Sequence, residues 1–141
     1  MLKSSFVLLF AASAAVLIGV AQQPTTTIRP VPIKPTSAAS GEQMYTSYCA
    51  VCHGADGTGN GPAAPALKVK LRDLTMLSKN NGGVFPAAKV ASALRYGVEN
   101  SAHGNTQMPI WGDLFKSVGP SREAVQQRIS NLSDYIKKMQ K

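Results

Sequence analysis

Residues 49–53 read Cys-Ala-Val-Cys-His, and this motif constrains the fold of the chain more than any other feature. Residues three and four apart share one face at the end of a helix, so Cys49, Cys52 and His53 can approach one ligand from the same side. The spacing is the attachment pattern of c-type haem, in which two thiols bond the vinyl groups and the imidazole binds the iron. The motif therefore predicts one covalently attached haem c, with His53 as an iron ligand.

Other chemistries fit the two cysteines less well. A thioredoxin-type dithiol is expected after a strand in a βαβ unit, which the surrounding sequence does not predict. A disulfide across two residues would close a very small loop and add little constraint to folding. Zinc requires further Cys or His ligands, and besides His53 the chain contains one histidine, His103. Haem is the favoured interpretation.

The iron also needs a sixth ligand or an open position. Met108 lies in a loop-like stretch, and Pro109 restricts its backbone, so this methionine can present its sulfur at a fixed place. His103 is the alternative ligand, because haems with two histidine ligands exist, and an open site is the third interpretation. Three other methionines are interpreted as packing residues, namely Met44, Met76 and Met139.

The sequence predicts a few helices joined by long loops. Ser40 is placed to cap a first helix that runs to about Cys52, and a second helix is expected over 86–96. Ser121 is placed to cap the clearest helix, whose apolar residues recur at three- and four-residue intervals. This stripe consists of Val125, Ile129, Leu132, Ile136 and Met139. Strand signals are weak throughout.

The N-terminal part of the chain is predicted to be an export signal followed by a linker. In residues 1–21, Lys3 precedes a short apolar stretch that ends in small residues. The stretch is shorter than the roughly 20 residues of a spanning helix, so we expect cleavage rather than retention as a membrane anchor. Residues 22–39, rich in proline and threonine, are expected to form a flexible linker, and residues 40–141 the folded domain.

The charge balance indicates which partners to expect. The chain has 15 basic and 7 acidic residues, a formal charge of +8. Long-range attraction then favours an acidic docking face on a redox partner. Neither an aromatic-lined basic groove nor a recognition-helix pattern is visible, so we expect no nucleic-acid partner. No nucleotide-binding glycine loop is apparent either, so a small-molecule substrate is not expected.

The chain from about Gly41 to Gln140, nearly all of the mature domain, resembles class I bacterial cytochrome c. Residues on the first and last predicted helices contribute to this resemblance. Gly41 and Tyr45, which precede the first cysteine of the motif, resemble the small residue and the aromatic residue on that family's first helix. Leu132 and Tyr135 resemble the pair on its last helix. The family resemblance implies that the two helices cross there, because the glycine permits close approach.

Two loops add to the resemblance. Residues 108–112 read Met-Pro-Ile-Trp-Gly and resemble the axial-methionine loop of many small bacterial members. Pro65 and Leu67 resemble the family's Pro-x-Leu turn, whose proline carbonyl accepts the N–H of the axial histidine. By this resemblance Met108 is the second iron ligand, and Pro65, Leu67 and Trp111 lie at the haem.

The resemblance implies an all-α fold of three to five short helices and long loops wrapped around one covalently bound haem. Tyr48, Leu67 and Trp111 are the candidates for the wall of the haem pocket. Residues 72–85 depart from the compact members of the family and are assigned only as a loop or a short helix beside the haem. The implied location is the periplasm, with a tether to the inner membrane if the signal stays in place.

Three functions are compatible with these features. The first is a single-electron carrier, not itself an enzyme, that cycles Fe(III)/Fe(II) between a redox protein donor and an acceptor in membrane complexes. The second is a haem-bearing subunit of a larger oxidoreductase complex. The third, which fits least well, is a gas-binding sensor with an open sixth site.

Overall fold

The computed structural model describes residues 32–98 and 108–141, and within them the chain forms helices, turns and loops without a strand. The α-helices of this part are α1 (Gly41–Met44), α2 (Ala50–His53), α3 (Ala87–Tyr96), α4 (Trp111–Val118) and α5 (Arg122–Lys138). Its 3-10 turns are Ala64–Ala66, Leu74–Met76 and Lys79–Asn81. A π-helical segment, Tyr45–Cys49, joins α1 to α2. The predicted all-α fold is confirmed.

The first helix begins at a side-chain cap and contains one wide turn. Ser40 caps α1, where its hydroxyl oxygen accepts the backbone N–H of Gln43 (3.1 Å). The π-helical turn is closed by a bond from the Ala50 N–H to the Tyr45 carbonyl, one residue further along the chain than in an α-helix. The predicted helix from Ser40 to about Cys52 is therefore present, with a local widening just ahead of the second cysteine.

α1 crosses α5 where a glycine lets the two helices meet. A Cβ on Gly41 would lie 2.1 Å from the carbonyl oxygen of Asn131 and 2.8 Å from the Cβ of Tyr135. The ring of Tyr45 packs against that of Tyr135 at a centroid distance of 5.3 Å, and Leu132 is fully buried. The crossing implied by the resemblance is present in the structure.

The core lies between the first helix, α4 and α5. Its largest fully buried side chains are Met44, Tyr45, Thr75, Phe115, Ile129 and Leu132. The stripe predicted on α5 is buried as far as Ile136 and partly buried at Met139. Burial of one large apolar side chain contributes roughly 1.5–3 kcal/mol, so this stripe is the main attachment of α5 to the domain.

A second close approach joins α3 to α4. α3 matches the helix predicted over 86–96 and ends at Gly97, whose φ of 85° is left-handed. α4 begins at Trp111 and was not predicted from the sequence. A Cβ on Gly112 would lie 2.4 Å from the Arg95 carbonyl oxygen, so the glycine that follows the tryptophan is required where α4 passes the end of α3.

Residues 72–85 are predicted to be a loop or a short helix, and in the structure they contain two of the 3-10 turns. The side chain of Gln140 fastens this stretch to the end of α5. Its Nε2 donates to the Leu74 carbonyl (2.7 Å), and its Oε1 accepts the Ser78 N–H (2.8 Å). Gln140 thus holds the chain at Leu74 and again at Ser78, two residues after the Leu74–Met76 turn.

The last part of the predicted linker is packed against the domain. The sequence placed residues 22–39 in a flexible segment, yet the Arg128 side chain donates to the Thr36 carbonyl (2.8 Å). The Asn131 side chain likewise donates to the Ala38 carbonyl (2.8 Å). These bonds make the end of this segment part of the folded unit.

Some predictions fall on residues that the structure does not describe. The predicted export signal lies within residues 1–31, and His103 lies within residues 99–107. In the parts of the chain that are described, no helix has both the length and the apolar character needed to cross a membrane.

Candidate haem-binding site

The predicted attachment motif lies on the end of the first helix. Cys49 ends the π-helical segment and is buried, whereas Cys52 and His53 belong to α2 and are partly buried. Both cysteines are free thiols. The helix therefore presents all three side chains within little more than one turn, as the spacing predicted.

The loop after the motif satisfies the carbonyls at the end of α2. Three loop amides donate to three successive carbonyls, namely Gly59 to His53 (2.8 Å), Gly61 to Cys52 (3.0 Å) and Ala63 to Val51 (2.8 Å). A Cβ on Gly61 would lie 2.5 Å from the Val51 carbonyl oxygen, so only glycine allows this approach. The final carbonyls of a helix lack partners within the helix, and here the loop supplies them and fixes the motif in place.

His53 has the properties that an iron ligand requires. Its Nδ1 is buried and has no hydrogen-bond partner among residues 32–98 and 108–141, and a folded protein usually avoids the free-energy cost of such an atom. Burial lowers the pKa of His53, and an interaction with the backbone of Arg72 partly opposes this shift. The imidazole is therefore favoured in its neutral form, the form that binds a metal.

The predicted partner of His53 differs from the one in the structure. Pro65 was expected to accept the imidazole N–H, but Nδ1 does not donate to it, and the backbone group that acts on the imidazole belongs to Arg72. Pro65 is exposed within its 3-10 turn, and Leu67 is partly buried. The structure thus adds Arg72 to the surroundings of the histidine, a residue that no sequence motif singled out.

Both thiols are in the protonated form. Burial raises the pKa of Cys49 to about 12, and burial also raises the pKa of Cys52. Thiols are the groups that add to the vinyl carbons when thioether bonds to haem form. The donor set at the motif therefore fits a covalently attached haem.

A tyrosine stabilises the residue that follows the motif. The Tyr45 hydroxyl donates to the Gly54 carbonyl (2.8 Å). Burial raises the pKa of Tyr45, with a smaller contribution from the neighbouring Cys49, so the hydroxyl keeps its proton and remains a donor. Tyr45 is the residue that resembles the aromatic residue of the family's first helix, and its bond to Gly54 connects it to the residue directly after His53.

Met108, the candidate second iron ligand, lies at the edge of the core just before α4. Met108 is partly buried and packs against the core cluster, while Pro109 after it is exposed. Trp111 is buried, and its ring stacks on that of Tyr48 at a centroid distance of 5.4 Å and an interplanar angle of 25°. Because Tyr48 precedes Cys49, the structure brings the predicted methionine loop and the predicted attachment helix together through two aromatic rings.

Sequence reasoning missed a polar cluster beside these rings. Arg128 is only 5% exposed, and its guanidinium lies 5.8 Å from the centre of the Phe115 ring. Its Nη1 donates to the Thr36 hydroxyl (3.2 Å), which in turn lies 2.9 Å from the Tyr48 hydroxyl. The signal was present in the sequence, since residue 128 falls on the buried stripe of α5.

Comparison with known proteins places the chain in one family. No curated protein and no solved structure matches it significantly. The family described as "Cytochrome C oxidase, cbb3-type, subunit III" matches residues 36–136, from the packed N-terminal segment to the last turns of α5. This match covers well over half of the chain and confirms the resemblance to c-type cytochromes. The chain therefore belongs to the family of cbb3-type cytochrome c oxidase subunit III, a family of c-type cytochrome domains that carry covalently bound haem.

Proposed function

We propose that this chain is a single-electron carrier with one covalently attached haem c whose iron cycles between Fe(III) and Fe(II). The observation that carries the proposal is the buried, unpartnered Nδ1 of His53, which lies one residue after the second thiol of the motif. A buried nitrogen without a hydrogen bond is accounted for if it binds iron. The chain contains one such motif, so we infer one haem.

Within this proposal the residues of the chain bind, orient and tune the haem. Cys49 and Cys52 hold it covalently, and His53 supplies one axial nitrogen. The haem supplies the one-electron chemistry, and the chain contributes no bond-breaking step of its own. The loop amides that satisfy the end of α2 keep the three attachment groups in register.

We assign the second axial position to Met108. The methionine follows a segment outside the described residues and packs against the core, and α4 begins three residues later. A thioether ligand favours the ferrous state and raises the reduction potential. Tyr48 and Trp111, both buried, provide an apolar surrounding that acts in the same direction.

The partners in this proposal are a redox protein donor and an acceptor in the periplasm. An apolar surface formed by Tyr96 (72% exposed) and Ile110 (42% exposed) lies beside Arg95 and beside Lys116, which is paired with Asp113 (2.8 Å). Such a surface suits a partner with an acidic rim and an apolar centre. The formal charge of +8 supports the same choice of partner.

The family description favours a second candidate, a haem-bearing subunit of an oxidase complex. Deletion of residues 22–31 tests this candidate while it leaves the packed residues 33–38 in place. Loss of association with a membrane complex, with an unchanged haem spectrum, would support the subunit role. Free diffusion of the full mature chain would favour the independent carrier.

The haem assignment is tested by visible spectra of the ferric and ferrous protein, produced in a host that matures c-type haem and recorded with and without carbon monoxide. We expect a low-spin haem with a methionine-to-iron charge-transfer band and no carbon monoxide binding. Met108→Ala should abolish the band and permit binding, whereas His103→Ala should change neither. Ready carbon monoxide binding by the unaltered protein would contradict the carrier assignment and favour an open site.

A further inference from the structure

A one-way chain of hydrogen bonds links α5 to the first helix through the N-terminal segment. Arg128 Nη1 donates to the Thr36 hydroxyl, and the Tyr48 hydroxyl donates to the Lys34 carbonyl. The Thr36 and Tyr48 hydroxyl oxygens are 2.9 Å apart. Because a phenol has one proton, Thr36 must donate to Tyr48, so every bond runs from the guanidinium toward the Lys34 carbonyl.

One member of this hydrogen-bond chain, Tyr48, lies on the attachment helix, and its ring contacts α4. Tyr48 is the residue before Cys49, and its ring stacks on Trp111 and contacts Phe115 at a centroid distance of 6.0 Å. Trp111 opens α4 three residues after Met108. Tyr48 therefore combines a hydroxyl in the hydrogen-bond chain with a ring that connects the attachment helix to the start of α4.

Burial of Arg128, the first donor of this hydrogen-bond chain, costs free energy. A buried guanidinium loses hydration, and within residues 32–98 and 108–141 no carboxylate forms an ion pair with it. Its compensation consists of two bonds to Thr36 and the face of the Phe115 ring. The hydrogen bonds of the arginine thus fix Thr36, whose hydroxyl donates to Tyr48.

We propose that Arg128 and Thr36 are positioning residues that act through Tyr48 on Trp111, and so hold Met108 at its place on the haem iron. The proposal rests on the function proposed above, because it assumes Met108 as the axial ligand. In this proposal the N-terminal segment around Thr36 contributes to the geometry of the haem site. Loss of a hydrogen bond between Arg128, Thr36 and Tyr48 would let the Tyr48 ring tilt away from Trp111. An external ligand would then displace Met108 from the iron more easily.

The test measures how strongly imidazole displaces the methionine from the ferric holoprotein. Thr36→Val and Tyr48→Phe each remove one hydroxyl and keep nearly the same shape. Both changes remove the hydrogen bond between Thr36 and Tyr48. We expect each to raise the apparent association constant of imidazole by at least about fivefold, the factor that corresponds to this one bond. Visible absorption at fixed pH follows the displacement.

Asn131→Ala provides the matched control. The Asn131 side chain holds the same N-terminal segment through a hydrogen bond to the Ala38 carbonyl (2.8 Å), and it forms no hydrogen bond with Thr36 or Tyr48. We expect it to lower the free energy of unfolding about as much as Thr36→Val, with no change in imidazole binding. A purely structural role for the chain would instead make stability and imidazole binding change in parallel in all three variants.

Met108→Ala separates the two proposals. If this change raises the imidazole affinity and the two hydroxyl variants do not, the positioning proposal is wrong and the axial assignment stands. If Met108→Ala itself leaves the affinity unchanged, the axial assignment is wrong and the positioning proposal fails with it. An increase in the hydroxyl variants, absent from Asn131→Ala, supports both.

Discussion

Gly41 lies so close to Asn131 that a Cβ on the glycine would stand 2.1 Å from the Asn131 carbonyl oxygen. The contact is backbone against backbone, so neither side chain can move away to make room. It sets the distance at which α1 crosses α5, and the aromatic pair Tyr45 and Tyr135 packs one turn further along.

Substitution Gly41→Ala should therefore force the two helices apart. We expect a loss of about 1–3 kcal/mol in the free energy of unfolding of the holoprotein, the usual cost of overpacking. Guanidinium denaturation followed by circular dichroism measures it. The exposed Ser130 on α5 offers a control, since Ser130→Ala should leave stability nearly unchanged.

Gly61→Ala should impair haem attachment. The new methyl group would lie 2.5 Å from the Val51 carbonyl oxygen and 2.6 Å from that of Ala50, so the loop would have to leave the end of α2. We expect a lower yield of covalently attached haem at equal chain expression, measured by haem staining of denatured protein.

Gly82→Ala is the comparison for the loop glycine. In the part of the chain that the structure describes, a Cβ at this position would meet nothing within 4 Å, although the φ of 67° is left-handed. We expect normal attachment and at most a small loss of stability. Equal attachment defects in both variants would show that any methyl group on a loop glycine is harmful and would contradict the role assigned to Gly61.

Asp73 should contribute to the loss of stability in acid. Hydrogen bonds from the hydroxyl and the backbone N–H of Thr75 (2.7 and 2.8 Å) hold the pKa of Asp73 below its usual value. A carboxyl whose pKa is lower in the folded state stabilises the fold above its ordinary pKa, and this stability is lost as the pH falls through the folded value.

Asp73→Asn keeps an acceptor for Thr75 but removes the titration. We expect the variant to be less stable than the unaltered protein near neutral pH, and the difference to vanish in strong acid. Thermal unfolding across a pH series measures this convergence. The exposed Asp134 on α5 provides the control, and a parallel convergence for Asp134→Asn would argue against a specific role of the Thr75 contacts.

Gln140→Leu should loosen residues 74–78. The substitution removes the acceptor of the Ser78 N–H and the donor to the Leu74 carbonyl. Each bond contributes about 0.5–1.5 kcal/mol, so we expect a loss of about 1–3 kcal/mol. Hydrogen exchange should rise at Ser78 and remain unchanged at Leu94 in α3; uniform acceleration at both would mean that the whole fold had weakened.

The sequence predicted the parts of the fold that follow from local patterns. Capping at Ser40 and Ser121 and the stripe on α5 depend on neighbours within a few residues, and the structure contains all of them. The placement of the motif at the end of the first helix was likewise predicted from local residues. This placement depends on residues within about one helical turn, so it can be predicted without the contacts between distant residues.

What the sequence could not predict depends on contacts between distant residues. The bonds of Thr36 to Arg128 and Tyr48 join segments with no common pattern, so a proline-rich stretch was interpreted as linker. The approach of Arg72 to His53 is likewise set by the path of a long loop. α4 was missed because its first residues had already been interpreted as the end of the methionine loop.

The packing of the N-terminal segment on α5 has a consequence for the order of folding. The bond between Thr36 and Arg128 spans 92 residues, and the bond between Leu74 and Gln140 spans 66. Contacts of such separation form late, because a long loop must be closed first. Until α5 has formed, the N-terminal segment lacks its bonds to Arg128 and Asn131, and the turn at Leu74 lacks its bond to Gln140. We therefore expect the attachment motif to stay accessible during this time to whatever joins it to haem. Closure of the domain by its last helix then ends that period of access.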